Sequence, residues 1–146
     1  MPHLVILYTP NLEAGSAGLA ISPLCRALAD TMLAQRDEAG APVFPPGGVR
    51  VLAYPATHFA IGDGGDAGRD AGGSGDYGFL YLNLRMARGR STAVQQAVGQ
   101  ALQSCLQGFV AALLASRQVG FTLQIDEGAE VFDAKSSSLH PLFKKA

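Results

Sequence analysis

Residues 79–125 read FLYLNLRMARGRSTAVQQAVGQALQSCLQGFVAALLASRQVGFTLQI, and their pattern is the clearest indication of the fold. Both of its ends alternate apolar residues with other residues, which is typical of strands that have two different faces. Between them, Thr92-Ala-Val-Gln95 has the form of a capping box and predicts a helix that runs to about Arg117. Helical spacing predicts one apolar stripe on this helix, made of Val94, Val98, Ala101, Leu102, Cys105, Phe109 and Leu113.

The first half of the chain follows the same plan. The segment His3 to Thr9 is a short apolar run closed by Pro10, and Val49 to Tyr54 is a second such run. Between the two runs, Ser22-Pro23 predicts an N-cap followed by proline at the first helical position. The helix predicted there has an apolar face made of Ile21, Leu24, Cys25, Leu28 and Met32.

Two segments rich in glycine are predicted to be loops. Residues 39–48 combine glycine with several prolines. Residues 62–75 are mostly glycine and aspartate, and we expect a mobile loop because they offer few apolar groups for packing. The spacing of the aspartates does not match a calcium-binding loop.

The pattern predicts a single domain over residues 1–146, with two βαβ halves at about 2–60 and 76–126 and a C-terminal tail. The two halves can join into one four-stranded mixed sheet of the α/β (α+β) class, with both helices on one face. We expect neighbouring subunits to cover the other face, because only 16% of the residues are charged. The tail from Val131 to Phe143 is apolar enough to be ordered against a neighbouring subunit.

The composition excludes several classes of function. The net charge is −1 and no basic stretch precedes the end of the chain, which argues against nucleic acid and anionic membranes as partners. Cys25 and Cys105 lie in helical patterns without nearby ligands, so we predict buried reduced thiols and no zinc site. The start of the chain does not resemble a signal peptide and no apolar run approaches about 20 residues, so we expect a cytoplasmic protein.

Candidate chemistry begins at the N-terminus. Removal of Met1 would expose Pro2 as a secondary amine, which is a competent general base when it is neutral near physiological pH. Arg50 and Arg90 lie at strand ends beside glycines, where a guanidinium group can bind a carboxylate in a bidentate way. His3 is next to Pro2 at a strand start and is a candidate for substrate binding.

Five short motifs occur in order along nearly the whole chain. They are Met1-Pro-His3, Phe44-Pro-Pro-Gly-Gly-Val-Arg50, Asp76-Tyr-Gly-Phe79, Gly89-Arg-Ser91 and Leu139-His-Pro-Leu-Phe-Lys144. With these motifs in this order, the chain resembles the 5-carboxymethyl-2-hydroxymuconate Δ-isomerases of the tautomerase superfamily.

The resemblance implies a cytoplasmic homotrimer whose sheets face inward around a threefold axis. It implies a cofactor-independent isomerase in which Pro2 moves a proton from the 2-hydroxyl group to C5 of an enolic acid with two or three carboxylates. Arg50 and Arg90 would bind the carboxylates and favour the dienolate. The pathway implied is the breakdown of homoprotocatechuate, an aromatic compound.

Two departures from the family pattern leave alternatives open. Residues 35–42 and 62–75 look longer than in the family, and Val51 and Leu52 follow Arg50 where a second basic residue is expected. A lost charge near the mouth of the site can change which diacid is accepted. The alternatives are a tautomerase that acts on another 2-hydroxydienoate or an enol-pyruvate, and a non-catalytic trimeric binding protein with the same fold.

Overall fold

The computed structural model describes residues 2–143 of the chain. The four strands are β1 (His3–Tyr8), β2 (Arg50–Pro55), β3 (Gly78–Ala87) and β4 (Val119–Gly128). The helices are α1 (Ile21–Ala34), α2 (Asp66–Asp70) and α3 (Thr92–Ser116). Single 3₁₀ turns lie at Pro10–Glu13, Pro46–Gly48 and His140–Phe143.

The strands form one mixed sheet in the order β2-β1-β3-β4. β1 pairs with β2 in parallel and β3 pairs with β4 in parallel, as each strand–helix–strand half requires. The antiparallel pairing of β1 with β3 joins the two halves. The predicted mixed sheet of two βαβ units is therefore confirmed.

The core lies between one face of the sheet and the two long helices. α1 packs against β2 and α3, while α3 packs against β4. The central strands bury every second side chain on this face, and each fully buried leucine contributes about 1.5–3 kcal/mol. These buried strand residues are Leu4, Ile6, Tyr8, Leu80, Leu82, Leu84 and Met86.

Both long helices begin one or two residues earlier than the sequence indicates. The N-cap of α1 is Ala20, not Ser22, and Pro23 lies within the first turn, where its missing N–H group is not needed. The N-cap of α3 is Ser91, whose hydroxyl accepts a hydrogen bond of 3.2 Å from the backbone N–H of Val94. A capping pattern shows that a helix begins nearby, but neighbouring candidates compete for the cap position.

The buried stripe of α3 differs in part from the predicted one. Leu106 and Val110 are buried, whereas Ala101, Cys105 and Phe109 are only half-buried. α3 is also long and apolar enough to cross a membrane by length and composition, which the sequence analysis did not anticipate. Its buried stripe packs on the sheet, as in the core helix of a globular domain.

The prediction of a mobile loop at 62–75 is wrong for part of that segment, because Asp66–Asp70 forms α2. Polar contacts, and not an apolar core, hold α2 in place. The carboxylate of Asp63 accepts hydrogen bonds from two backbone N–H groups at the start of α2, and these bonds hold the pKa of Asp63 below its usual range. The N–H of Gly68 donates to the Tyr77 hydroxyl (2.8 Å), and the Gln118 amide donates to the Gly68 carbonyl (3.2 Å).

The other face of the sheet is open in the single chain, and its two halves differ. On β1 and β2 it presents Leu7, Leu52 and Tyr54, which are 45%, 44% and 49% exposed. On β3 and β4 it presents polar side chains joined in pairs. The Tyr81 hydroxyl donates to the Gln124 side chain (2.7 Å), and the amide of Asn83 donates to the carboxylate of Asp126 (2.7 Å).

Candidate functional site

The predicted site residues lie at one end of the sheet, where His3, Arg50 and Arg90 border three different clefts. β1 and β2 begin there, and β3 ends there before the turn into α3. His3 is paired with Arg50 on one side and with Arg85 on the other. These three side chains share the open face, because cross-strand partners point to the same side of a sheet. Pro2 and Arg90 lie just outside the strands at the same end.

Pro2 is buried beside the turn Pro46–Gly48. A Cβ atom on Gly48 would lie 3.6 Å from the Cδ atom of Pro2, which is an ordinary van der Waals distance, so the turn and the proline ring are close neighbours. Because neighbouring residues of a strand point to opposite faces, Pro2 belongs to the helix side and His3 to the open side. Burial at this position disfavours a charged amine, because a buried charge loses its hydration.

Arg50 is half-buried at the start of β2 and is fixed by its own turn. Its Nη1 atom donates to the carbonyls of Gly47 (3.0 Å) and Val49 (2.8 Å). These bonds hold one side of the guanidinium group and direct the side chain. Its position beside His3 agrees with a role in binding an anion.

Arg90 is half-buried and joins two segments of the backbone. Its Nη1 atom donates to the carbonyl of Ala87 (2.9 Å) and its Nη2 atom to that of Val43 (3.0 Å). The guanidinium carbon lies 5.3 Å from the centre of the Phe44 ring, within the range of a cation–π interaction. Arg90 thus holds the segment that leads to the turn beside Pro2, and it also borders a cleft of about 340 Å³.

A second cleft, of about 410 Å³, opens beside His3. Its walls are His3, Arg85 and tail residues that include Glu130, Asp133 and Lys135. Neither Arg85 nor these tail residues are among the site residues predicted from the sequence. Arg85 could have been found by the argument used for Arg50, since both are arginines at a strand end on the side away from the core. The tail residues carried no such signal, because only the folded chain brings them to His3.

The tail returns to the turn beside Pro2. Its last described turn, His140–Phe143, packs on Pro46–Gly48. A Cβ atom on Gly47 would lie 3.0 Å from the Cδ2 atom of His140 and 3.3 Å from that of Phe143, so any side chain there would force the tail to shift. The predicted order of the tail against a neighbouring subunit stays a prediction, and Val131 and Phe132 are fully or almost fully exposed in the single chain.

Comparison with known proteins gives consistent results. The family model of 5-carboxymethyl-2-hydroxymuconate isomerase matches residues 2–143. The chain belongs to this family. It is therefore an enzyme of the isomerase class, as the resemblance implied. The 5-carboxymethyl-2-hydroxymuconate Delta-isomerase of Escherichia coli is 26% identical over 148 residues, which covers 99% of this chain and all of that protein.

Solved structures of the family have the same fold. A 5-carboxymethyl-2-hydroxymuconate delta-isomerase is 60% identical and superposes with a TM-score of 0.94, covering 100% of this chain and 95% of that one. A family member from Deinococcus radiodurans R1 is 29% identical with a TM-score of 0.77, covering 99% of this chain and 95% of that one. A fused 4-OT symmetric trimer, 19% identical with a TM-score of 0.51 over 97% of this chain and 99% of that one, shares the fold.

The contact between the tail and Gly47 can be tested by Gly47→Ala. The added methyl group would meet His140 and Phe143, so we expect the tail to be displaced. Trypsin should then cleave after Lys135 several-fold faster than in the unchanged protein, as followed by mass spectrometry.

The matched control is Gly108→Ala on α3, where a Cβ atom meets no heavy atom within 4 Å. Alanine there should stabilise the helix by about 0.5–1 kcal/mol and leave cleavage after Lys135 unchanged. Equal cleavage rates in both variants would show that Gly47 does not hold the tail.

Proposed function

We propose that the chain isomerises 5-carboxymethyl-2-hydroxymuconate in the breakdown of an aromatic compound, with Pro2 as the acid–base catalyst. The observation that carries this proposal is the burial of Pro2 at the sheet end where His3 and Arg50 are paired. Membership of the family supports the choice of substrate.

The proposed reaction moves one proton. After removal of Met1, the neutral nitrogen of Pro2 accepts the proton of the 2-hydroxyl group. The electron pair is delocalised over the dienolate, and the ammonium group returns the proton to C5. The product is the 2-oxo isomer, with the remaining double bond shifted. The catalyst ends in its starting state, so the step needs neither an oxidant nor a metal.

The electrostatic part of the mechanism is assigned to Arg50 and Arg90. A substrate with several carboxylates needs fixed positive charge, and a half-buried guanidinium group supplies it with directed hydrogen bonds. The same charges, together with burial, would disfavour a positive charge on the Pro2 nitrogen and so favour the neutral base. Stabilisation of the dienolate accelerates the reaction, because negative charge on the reacting atoms is greatest there. His3, which is paired with Arg50 across the sheet, would bind substrate.

The functional unit is proposed to be a homotrimer in which neighbours cover the open faces of the sheets. The apolar residues on β1 and β2 support this, because a soluble monomer rarely leaves such a patch uncovered. We also propose a cytoplasmic location. The two free, half-buried thiols support it, since the cytosol keeps thiols reduced.

The role of Pro2 can be tested by blocking its nitrogen. Protein that keeps an N-terminal extension should be inactive, whereas the same chain cleaved to begin at Pro2 should be active. Pro2→Ala, processed in the same way, leaves a primary amine and should lower the rate without abolishing it. The kcat/KM of the processed protein should rise with pH as the amine of the free enzyme loses its proton, because only the neutral nitrogen is a base.

The control for this test is the oligomeric state, which blocking should not change. Full activity in protein shown by mass spectrometry to keep a residue before Pro2 would overturn the mechanism.

The two arginines can be tested by Arg50→Ala and Arg90→Ala. Each should reduce kcat/KM by a factor that corresponds to about 2–5 kcal/mol, the range for loss of a buried charge contact. Arg36→Ala is a matched control, because Arg36 also donates to backbone carbonyls but does so at the end of α1. Wild-type kcat/KM in both site variants would remove these residues from the mechanism.

The trimer can be tested by adding a charge to the open face. Leu52→Glu should weaken assembly, because it would bury an unpaired carboxylate between subunits. Leu114→Glu on α3 is a matched control, since Leu114 is 43% exposed and Leu52 is 44% exposed. Sedimentation should show smaller species for Leu52→Glu only. A stable monomer of the unchanged protein at micromolar concentration would contradict the trimer.

A further inference from the structure

Arg85 is an arginine on the open face that the proposed mechanism does not use. Its cross-strand neighbours are His3 on β1 and Asp126 on β4. Within residues 2–143, its guanidinium group makes no ion pair and donates no hydrogen bond, whereas Asp126 accepts a hydrogen bond from Asn83. A guanidinium group at a site end without a protein partner is available to bind an anion.

The structure makes room for this side chain at one position. A Cβ atom on Gly128 would lie 2.7 Å from the Nε atom of Arg85 and 2.8 Å from its Nη2 atom. Gly128 is buried, so the guanidinium group lies flat against the backbone at the end of β4. Any larger residue at 128 would push the group away. Gly128 therefore leaves the space that the exposed side chain of Arg85 occupies.

The cleft beside Arg85 is lined in part by the carboxylate of Asp133. Lys135 donates to Asp133 there, and this hydrogen bond holds the pKa of Asp133 below its usual range, with His3 adding to the effect. Glu130, the other acidic wall residue, also faces Lys135. The two acids are thus partly offset by Lys135, while the charge of Arg85 has no partner among the wall residues.

Arg50 and Arg85 flank His3 on neighbouring strands. Adjacent strands lie about 4.8 Å apart, so the backbones of the two arginines are about 10 Å apart. Long side chains at this separation can hold two carboxylates of one small molecule at the same time. The cleft of about 410 Å³ has room for the part of the substrate that Arg50 does not reach.

We propose that Arg85, held against Gly128, binds a second carboxylate of the substrate in the cleft formed with His3 and the tail. Arg85 is then a specificity-determining residue that favours dicarboxylic and tricarboxylic enols over enols with one carboxylate. This inference rests on the proposed isomerase function, since it assigns a further part of the same substrate.

The test compares two substrates with Arg85→Gln. One is 5-carboxymethyl-2-hydroxymuconate, and the other is an enol-pyruvate with a single carboxylate. For the first, KM should rise about tenfold or more, the effect of one lost charge-assisted hydrogen bond, with little change in kcat. For the second, KM should stay within about twofold. Gly128→Ala keeps the charge but displaces it, so it should cause the same selective change.

Arg69→Gln is the matched control for net charge, because Arg69 lies on α2 at the opposite end of the sheet. It should leave both KM values unchanged. An equal effect of Arg85→Gln on both substrates, or no effect on either, would overturn the assignment of Arg85. Failure of the proposed function is a separate result, because the unchanged protein, processed to begin at Pro2, would then isomerise neither substrate.

Discussion

The antiparallel pairing of β1 with β3 is the interaction on which the rest of the structure depends. It joins two βαβ halves that each supply only a pair of parallel strands. A one-residue slip in this pairing would move every apolar side chain of a strand to the other face, so burial of the core also fixes the register. The register in turn sets His3 between Arg50 and Arg85. Core packing and the arrangement of charges at the sheet end therefore have one cause.

The turn that precedes β2 connects the parts of the candidate site. Phe44 lies under the guanidinium group of Arg90, Gly47 contacts the tail, and Gly48 approaches Pro2. The carbonyl of Gly47 also accepts a hydrogen bond from Arg50. Two segments thus come close to the backbone of these consecutive glycines, the tail at Gly47 and Pro2 at Gly48. A change in this turn would thus affect residues that are far apart in the sequence.

The two halves of the open sheet face have different physical roles. The half on β1 and β2 is apolar and gains free energy when another surface covers it. On the half formed by β3 and β4, four polar side chains are joined in the pairs Tyr81–Gln124 and Asn83–Asp126. Covering this second half costs less than burying free polar groups would, because its hydrogen bonds are already made. The face can therefore be covered by a neighbour although half of it is polar.

The sequence by itself determined the four strands, the two long helices and the family, because periodicity and short ordered motifs are local signals. It also identified Pro2, Arg50, Arg90 and His3 as candidates, since three of these stand at predicted strand ends and Arg90 lies in the turn after one. The sequence did not predict features that depend on contacts between segments distant along the chain. The cap of α1 is Ala20, the segment 62–75 contains α2 because of contacts with Tyr77 and Gln118, and the tail residues of the cleft reach His3 only in the folded chain. Only the tertiary structure decides such contacts, because they depend on which segments the folded sheet brings together.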